Sequence, residues 1–149
     1  MPLLFWNTHA FLYFLSKWWL VVNTPKGQLL TRTLAMPSDC NANGDIFGGW
    51  IMSQLDLAGG ILAKEISGGR IVTVSVSSIA FKKPVKVGDV VCCYGECSKI
   101  GRTSMSIELE VWVKPVKEDG VKDRFQVCEA TFNYVAIDSN GKPRPIVTN

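Results

Sequence analysis

At 149 residues the chain is long enough for one domain with a real hydrophobic core. An apolar share of 47% against 19% charge excludes a disordered chain. It is also high for a protein that must stay soluble alone, so a face buried in an oligomer is expected. The net charge of +3, with Lys and Arg scattered and no basic run beyond Lys82-Lys83, argues against a nucleic-acid partner.

Residues 1–22 are rich in Leu, Phe and Trp and are broken by Asn7, His9 and Lys17. The stretch approaches the length of a membrane span, yet Lys17 interrupts it and no basic residue precedes it. No small-x-small cleavage site follows, which makes it a poor signal peptide. Three readings stand: upstream sequence read through a misassigned start codon, a membrane-anchoring or interfacial helix, and a packed N-terminal extension. Residues 1–27 are set apart as an atypical apolar extension, and 28–149 form the domain. A membrane partner is expected only if the extension is genuine.

Gln28 to Ala35 reads as the first strand. Asp39-Cys40-Asn41-Ala42-Asn43-Gly44-Asp45-Ile46-Phe47 then carries turn chemistry, because Asn, Asp and Gly tolerate left-handed backbone and satisfy local hydrogen bonds. From Gly48 the period changes: Ile51, Leu55, Ala58, Leu62 and Ile66 are spaced to cover one face of a helix. Asp45 is expected to cap that helix or the turn before it. A polar loop entering a helix leaves backbone amides pointing at whatever binds there. Asp56 is the first charged residue of the helix. Gly59-Gly60 costs about 1 kcal/mol per glycine relative to alanine, so either another backbone or a ligand approaches closely there, or the helix is simply loose.

Ile71 to Val85 reads as a long strand, with Ile71, Thr73, Ser75, Ser77, Ile79 and Phe81 on one face and Val72, Val74, Val76 and Ala80 on the other. Pro84 ends it or places it at an edge. Val87-Gly88-Asp89 is a turn. Val90 to Lys99 is a second strand, apolar on both faces at its start. Ile100 to Thr103 turns again, and Ser104 to Lys114 alternates cleanly, with Met105, Ile107, Leu109, Val111 and Val113 facing one way. Glu118-Asp119-Gly120 is a solvated loop, Arg124 to Asp138 the last strand, and Ser139 to Lys142 a turn into a Pro-rich tail. Consecutive strands joined by short turns are expected to pair antiparallel. A sheet with one apolar face needs a cover, and the one long helix is available. The expectation is an α+β domain, a βαββββ antiparallel sheet wrapped around one helix.

Five cysteines make an odd count, and adjacent Cys92 and Cys93 point to opposite faces of a strand. Free cysteines of this kind fit a reducing cytoplasm. No CxxC is present and the single histidine, His9, lies in the extension, so no metal is expected.

The pattern Asp39-x-Asn41-x-x-Gly44-x-x-Phe47-Gly48-Gly49, followed by Met52-Ser53-Gln54-Leu55-Asp56, resembles the hotdog-fold acyl-CoA thioesterases, most closely the short bacterial YciA-type branch. The similarity continues through Lys83-Pro84-Val85-x-Val87-Gly88-Asp89, Val111-Trp112-Val113 and Gly141-Lys142-Pro143-Arg144, and covers roughly residues 30–146. The resemblance implies a hotdog domain, homodimers whose sheets join edge to edge, often a homohexamer built as a trimer of dimers, and active sites at the dimer interface. It implies acyl-CoA as substrate, with coenzyme A as part of the substrate and no separate cofactor.

Thioester hydrolysis needs a polarised carbonyl, an activated water or a nucleophile, and room for the thiol. Helix amides at Gly48 and Gly49 are placed to polarise the carbonyl. With no histidine in the matched region, serine triads and Cys–His pairs are out, which leaves a carboxylate, and Asp56 is the best placed. Burial on an apolar helix would make it a better base. By resemblance, Asp56 of one subunit acts with Asn41 of the other. Asn43, Gly44, Phe47, Lys83, Arg102, Thr103 and Ser104 complete the candidates as substrate-binding residues.

Each candidate has a plainer reading. Asp56 fits a salt bridge across the interface, and Asn41 and Asn43 fit ordinary turn residues. Gly101 to Ser104 is either a hairpin turn or a grip on the coenzyme A phosphates, and Lys82 and Lys83 are open in the same way. Two functions compete with hydrolysis. Acyl-carrier-protein dehydratases of this fold typically use a histidine, which the matched region lacks. A non-catalytic acyl-CoA-binding or regulatory module would not need Asp56 and Asn41.

Overall fold

The computed structural model describes residues 24–117, 120–121 and 123–147. Residues 1–23 of the extension lie outside them, as do Glu118 and Asp119 of the expected loop. Strand β1 (Gln28–Leu34) leads through one turn of 3-10 helix at Pro37–Asp39 and a loop into helix α1 (Gly48–Ser67). Then come β2 (Ile71–Phe81), β3 (Val90–Ile100), β4 (Ser104–Lys114), the short arms β5 (Val116–Lys117) and β6 (Gly120–Val121), and β7 (Phe125–Ala136).

The five long strands form one antiparallel sheet in the order β1-β3-β4-β7-β2, with α1 packed on one face, which is the hotdog arrangement. The alternation read for β4 holds: Met105, Ile107, Leu109, Val111 and Val113 join Ile51, Leu55, Ala58 and Leu62 in a single core. Cys93 joins that core while Cys92 does not, as adjacent residues on a strand must. Gly68, in left-handed backbone at φ 64°, ends the helix. Arg144 then donates to the Ser67 carbonyl at 3.0 Å, placing a cation at the helix C-terminus.

Four expectations need correction. The long strand ends at Phe81, not Val85. Lys82 and Lys83 turn their amides to the Val127 carbonyl, and residues 82–89 cross past the helix start, where Ile46 donates to the Val85 carbonyl at 2.9 Å. That crossing also separates two consecutive strands, so β2 pairs with β7 at the sheet edge rather than with β3. The strict face alternation of β2 fails as well. Register shifts between Thr73 and Ser75 and between Val76 and Ser78 break the period-two pattern. Finally, Gly59 makes room for a side chain of the same subunit, not for a backbone or ligand. A Cβ there would sit 2.3 Å from the Tyr134 hydroxyl and 2.9 Å from Leu109 Cδ1, whereas one at Gly60 would meet only Ile71 at an ordinary 3.8 Å. The glycine pair therefore carries no information about a partner surface.

Strand β2 does. It is an outer strand of eleven residues with no charge and no proline, and Val72, Val74 and Val76 are exposed on it. A long, uncharged, apolar edge presents unpaired amides and carbonyls to another strand. Met52, Leu57 and Ile61 of α1 are exposed too.

Candidate active site

The loop before the helix is closed by Asn41. Its side-chain oxygen accepts from the amides of Asn43 at 2.9 Å and Asp45 at 3.1 Å, and its own amide donates to the Asp45 carbonyl at 2.7 Å. Gly44 sits at φ 80°, which a side chain would resist, and donates to the Asn41 carbonyl at 3.0 Å. The Asn41 side-chain NH2 has no acceptor among the described residues, so the residue both shapes the turn and keeps two donors free. Asn43 is exposed and acts in the turn through its backbone. Asp45 does not cap the helix: its carboxylate pairs with the Lys86 ammonium, and the N-cap position is Phe47, with no side-chain cap.

Phe47 is half-exposed, and its carbonyl accepts from Trp50 at 3.1 Å and Ile51 at 3.2 Å. The amides of Gly48 and Gly49 find no acceptor among the described residues, as expected of the first turn. A Cβ on Gly48 would touch the Phe81 ring at 3.5 Å, and one on Gly49 would meet open space. The approach to both amides is clear. A groove of about 320 Å³, lined by Ile46, Phe81, Lys82, Lys83, Pro84 and Val85, lies alongside.

Asp56 follows Gly48 by eight residues, a rise of about 12 Å along the helix. That separation is too large for the Gly48 amide and the Asp56 carboxylate of one chain to serve the same carbonyl. No hydrogen bond joins Asp56 to Asn41 among the described residues either. Asp56 instead meets the sheet edge: Thr73 Oγ1 on β2 donates to Asp56 Oδ1 at 2.6 Å. The Tyr134 hydroxyl on β7 lies 3.2 Å from the Asp56 carbonyl and 3.4 Å from Oδ1. Burial above all, then the charge of Asp56, pushes the Tyr134 ionisation well above its ordinary range, so the phenol stays a protonated donor. The Asp56 side chain is itself exposed, so the apolar burial expected of it is not supplied by its own subunit. No salt bridge engages it among the described residues. The sequence reading missed Thr73 and Tyr134. The one signal was Gly59, whose missing side chain marks the space that Tyr134 fills.

The remaining candidates lie apart. Gly101 donates to the Ser104 carbonyl at 2.7 Å, closing a tight hairpin. The Thr103 and Arg102 carbonyls accept from Ala136 and Ile146, each at 2.8 Å. The backbone of this segment is thus structural, while the Arg102 side chain is exposed with no carboxylate partner among the described residues. Lys82 is committed to Glu129 at 2.7 Å and Gln126 at 2.9 Å. Lys83 lies over the Phe125 ring, 5.0 Å from its centroid. Lys83 sits beside Val127 and Thr103 beside Ala136, roughly 30 Å apart along β7. Asp56 and Arg102 therefore mark one end of the sheet, and Asn41, Gly48, Gly49 and Lys83 the other. No group of three or more His, Cys, Asp or Glu residues is placed to hold a metal among the described residues.

Comparison with known proteins matches residues 43–119 to the model of the thioesterase superfamily. The chain is 61% identical over 124 residues to the acyl-CoA thioester hydrolase YciA of Salmonella typhimurium, covering 83% of this chain and 93% of that one. Among solved structures it is similar to a hexameric broad-specificity acyl-coenzyme A thioesterase, at 60% identity and a TM-score of 0.79, covering 85% of each chain. It is also similar to the hexameric thioesterase of Yersinia pestis, at 56% identity and a TM-score of 0.78, covering 85% of this chain and 100% of that one.

Proposed function

The chain belongs to the thioesterase superfamily, and from that premise we propose that it is an acyl-CoA thioester hydrolase whose active site forms between two copies of the chain. One observation carries this reading: Asp56 is anchored through Thr73 at the open β2 edge, with the free Gly48 and Gly49 amides too distant to share its substrate. Two β2 edges related by a two-fold axis run antiparallel. Such pairing brings the Asp56 and Arg102 end of one protomer beside the Asn41, Gly48, Gly49 and Lys83 end of its partner. Each dimer then holds two sites, and a partner surface supplies the burial that Asp56 lacks alone.

In such a site the Gly48 and Gly49 amides of one protomer stabilise the oxyanion, and the free NH2 of Asn41 orients water or the carbonyl. Asp56 of the other protomer acts on water as a base, or attacks the carbonyl carbon itself to give an anhydride that water then opens. Either way the C–S bond breaks, the thiol of coenzyme A leaves, and the acyl group departs as the free acid. Asn43, Gly44 and Phe47 shape the wall beside the acyl carbonyl. Lys83, Arg102, Thr103 and Ser104 are assigned to the nucleotide end. Water is the only co-reactant, and no cofactor or metal is needed. The assembly is assigned as a trimer of dimers, in keeping with the hexameric relatives. The five free cysteines favour the cytoplasm.

Asp56→Asn removes the carboxylate while keeping its shape. Turnover of acyl-CoA should fall at least about a hundredfold, the usual scale for a positioned acid–base group, with fold and assembly unchanged by circular dichroism and sedimentation. Near-normal hydrolysis by this variant would sink the mechanism and favour the module that only binds acyl-CoA.

A further inference from the structure

We infer that the Tyr134 hydroxyl is a positioning group for Asp56, and that Gly59 is the clearance that lets it work. The inference rests on Asp56 as the catalytic carboxylate. Tyr134 is fully buried, stacked on Phe132 with ring centroids 6.3 Å apart, so its ring is fixed by packing. A buried hydroxyl needs a partner, and this one finds it on the helix at Asp56, through the carbonyl at 3.2 Å and Oδ1 at 3.4 Å. The Thr73 hydroxyl reaches the same Oδ1 at 2.6 Å. Oδ1 is thus held from the sheet, while Oδ2 has no hydrogen-bond partner among the described residues.

The geometry requires Gly59. The glycine lies three residues beyond Asp56 on the same side of the helix, and any β-carbon there would overlap the hydroxyl at 2.3 Å and the ring at 3.0 Å. A buried helix position that gives up a side chain loses packing as well as propensity. The space gained admits a tyrosine oxygen, which a phenylalanine would not need.

Tyr134→Phe keeps the ring and deletes the oxygen. The expected result is a fall in kcat of roughly tenfold to a hundredfold, the scale of a misplaced reacting group, with KM for acyl-CoA unchanged. The same substitution in an Asp56→Asn background should then change the residual rate by less than about twofold, because two groups acting as a unit are not additive. A normal kcat in the single variant, or a full further loss in the double variant, would overturn the positioning role. If Asp56→Asn alone retains activity, the assignment of Asp56 fails instead, so the two failures are distinguishable. Should Tyr134→Phe lose its helical circular dichroism, Gly59→Ala puts the same question by displacing the hydroxyl. It should lower kcat without moving KM, and an unchanged kcat would again overturn the role.

Discussion

Thr73 on β2 and Tyr134 on β7 stand directly opposite each other in the sheet, and both hydroxyls reach the same oxygen of Asp56. Directly opposed residues of an antiparallel pair share a face, so a single cross-strand pair reaches up to one turn of the helix. The contact ties the carboxylate to the outermost strand of the sheet. A change that disturbs that edge is therefore expected to reach the chemistry.

Val74 tests the edge. It is 55% exposed in the single chain, in the middle of β2. Val74→Lys places a charge where natural edge strands carry one to refuse a partner. Sedimentation at micromolar concentration should show the dimer dissociated, with helical content retained and acyl-CoA turnover lowered at least about tenfold. Val74→Thr, which keeps the branched shape without charge, should behave as the parent does. A Val74→Lys variant that remains assembled and active would place the joining surface elsewhere.

Arg102 tests the nucleotide end. Its backbone holds the tail through Ile146, but its guanidinium is exposed and without a carboxylate partner among the described residues. Arg102→Ala should raise KM for acyl-CoA about tenfold, the scale of one charge-assisted hydrogen bond, with little change in kcat. A charge remote from the carbonyl binds ground and transition states alike. A short thioester lacking the nucleotide should be indifferent. Equal losses on both substrates would show that Arg102 only supports the hairpin.

The contrast between β4 and β2 explains what could be read in advance. Strand β4 has neighbours on both sides and one buried face, so its alternation from Met105 to Val113 is decided locally and matched the structure. Strand β2 is an edge with two register shifts, and where it pairs depends on the crossing of residues 82–89, which no local pattern encodes. The turn at Asn41 and Gly44 was legible because its chemistry is contained in a few residues. The anchoring of Asp56 was not, since Thr73 and Tyr134 come from strands 17 and 78 residues away. Asp45 misled for the same reason: an acid just before a helix reads as a cap, and only the fold brings Lys86 to it.

The central claim is that Asp56 and Asn41 of different protomers complete one site. It is tested most directly by mixing two defective chains. Asp56→Asn and Asn41→Ala are each expected to be nearly inactive as pure assemblies. Co-expressed with distinct tags and purified through both, every mixed dimer carries one doubly defective site and one intact site. Random pairing should then restore about a quarter of wild-type turnover in the unselected mixture, and more after selection for mixed assemblies. If the mixed assemblies remain as inactive as the separate variants, Asp56 and Asn41 serve one site within a single chain, and the two-protomer account is wrong.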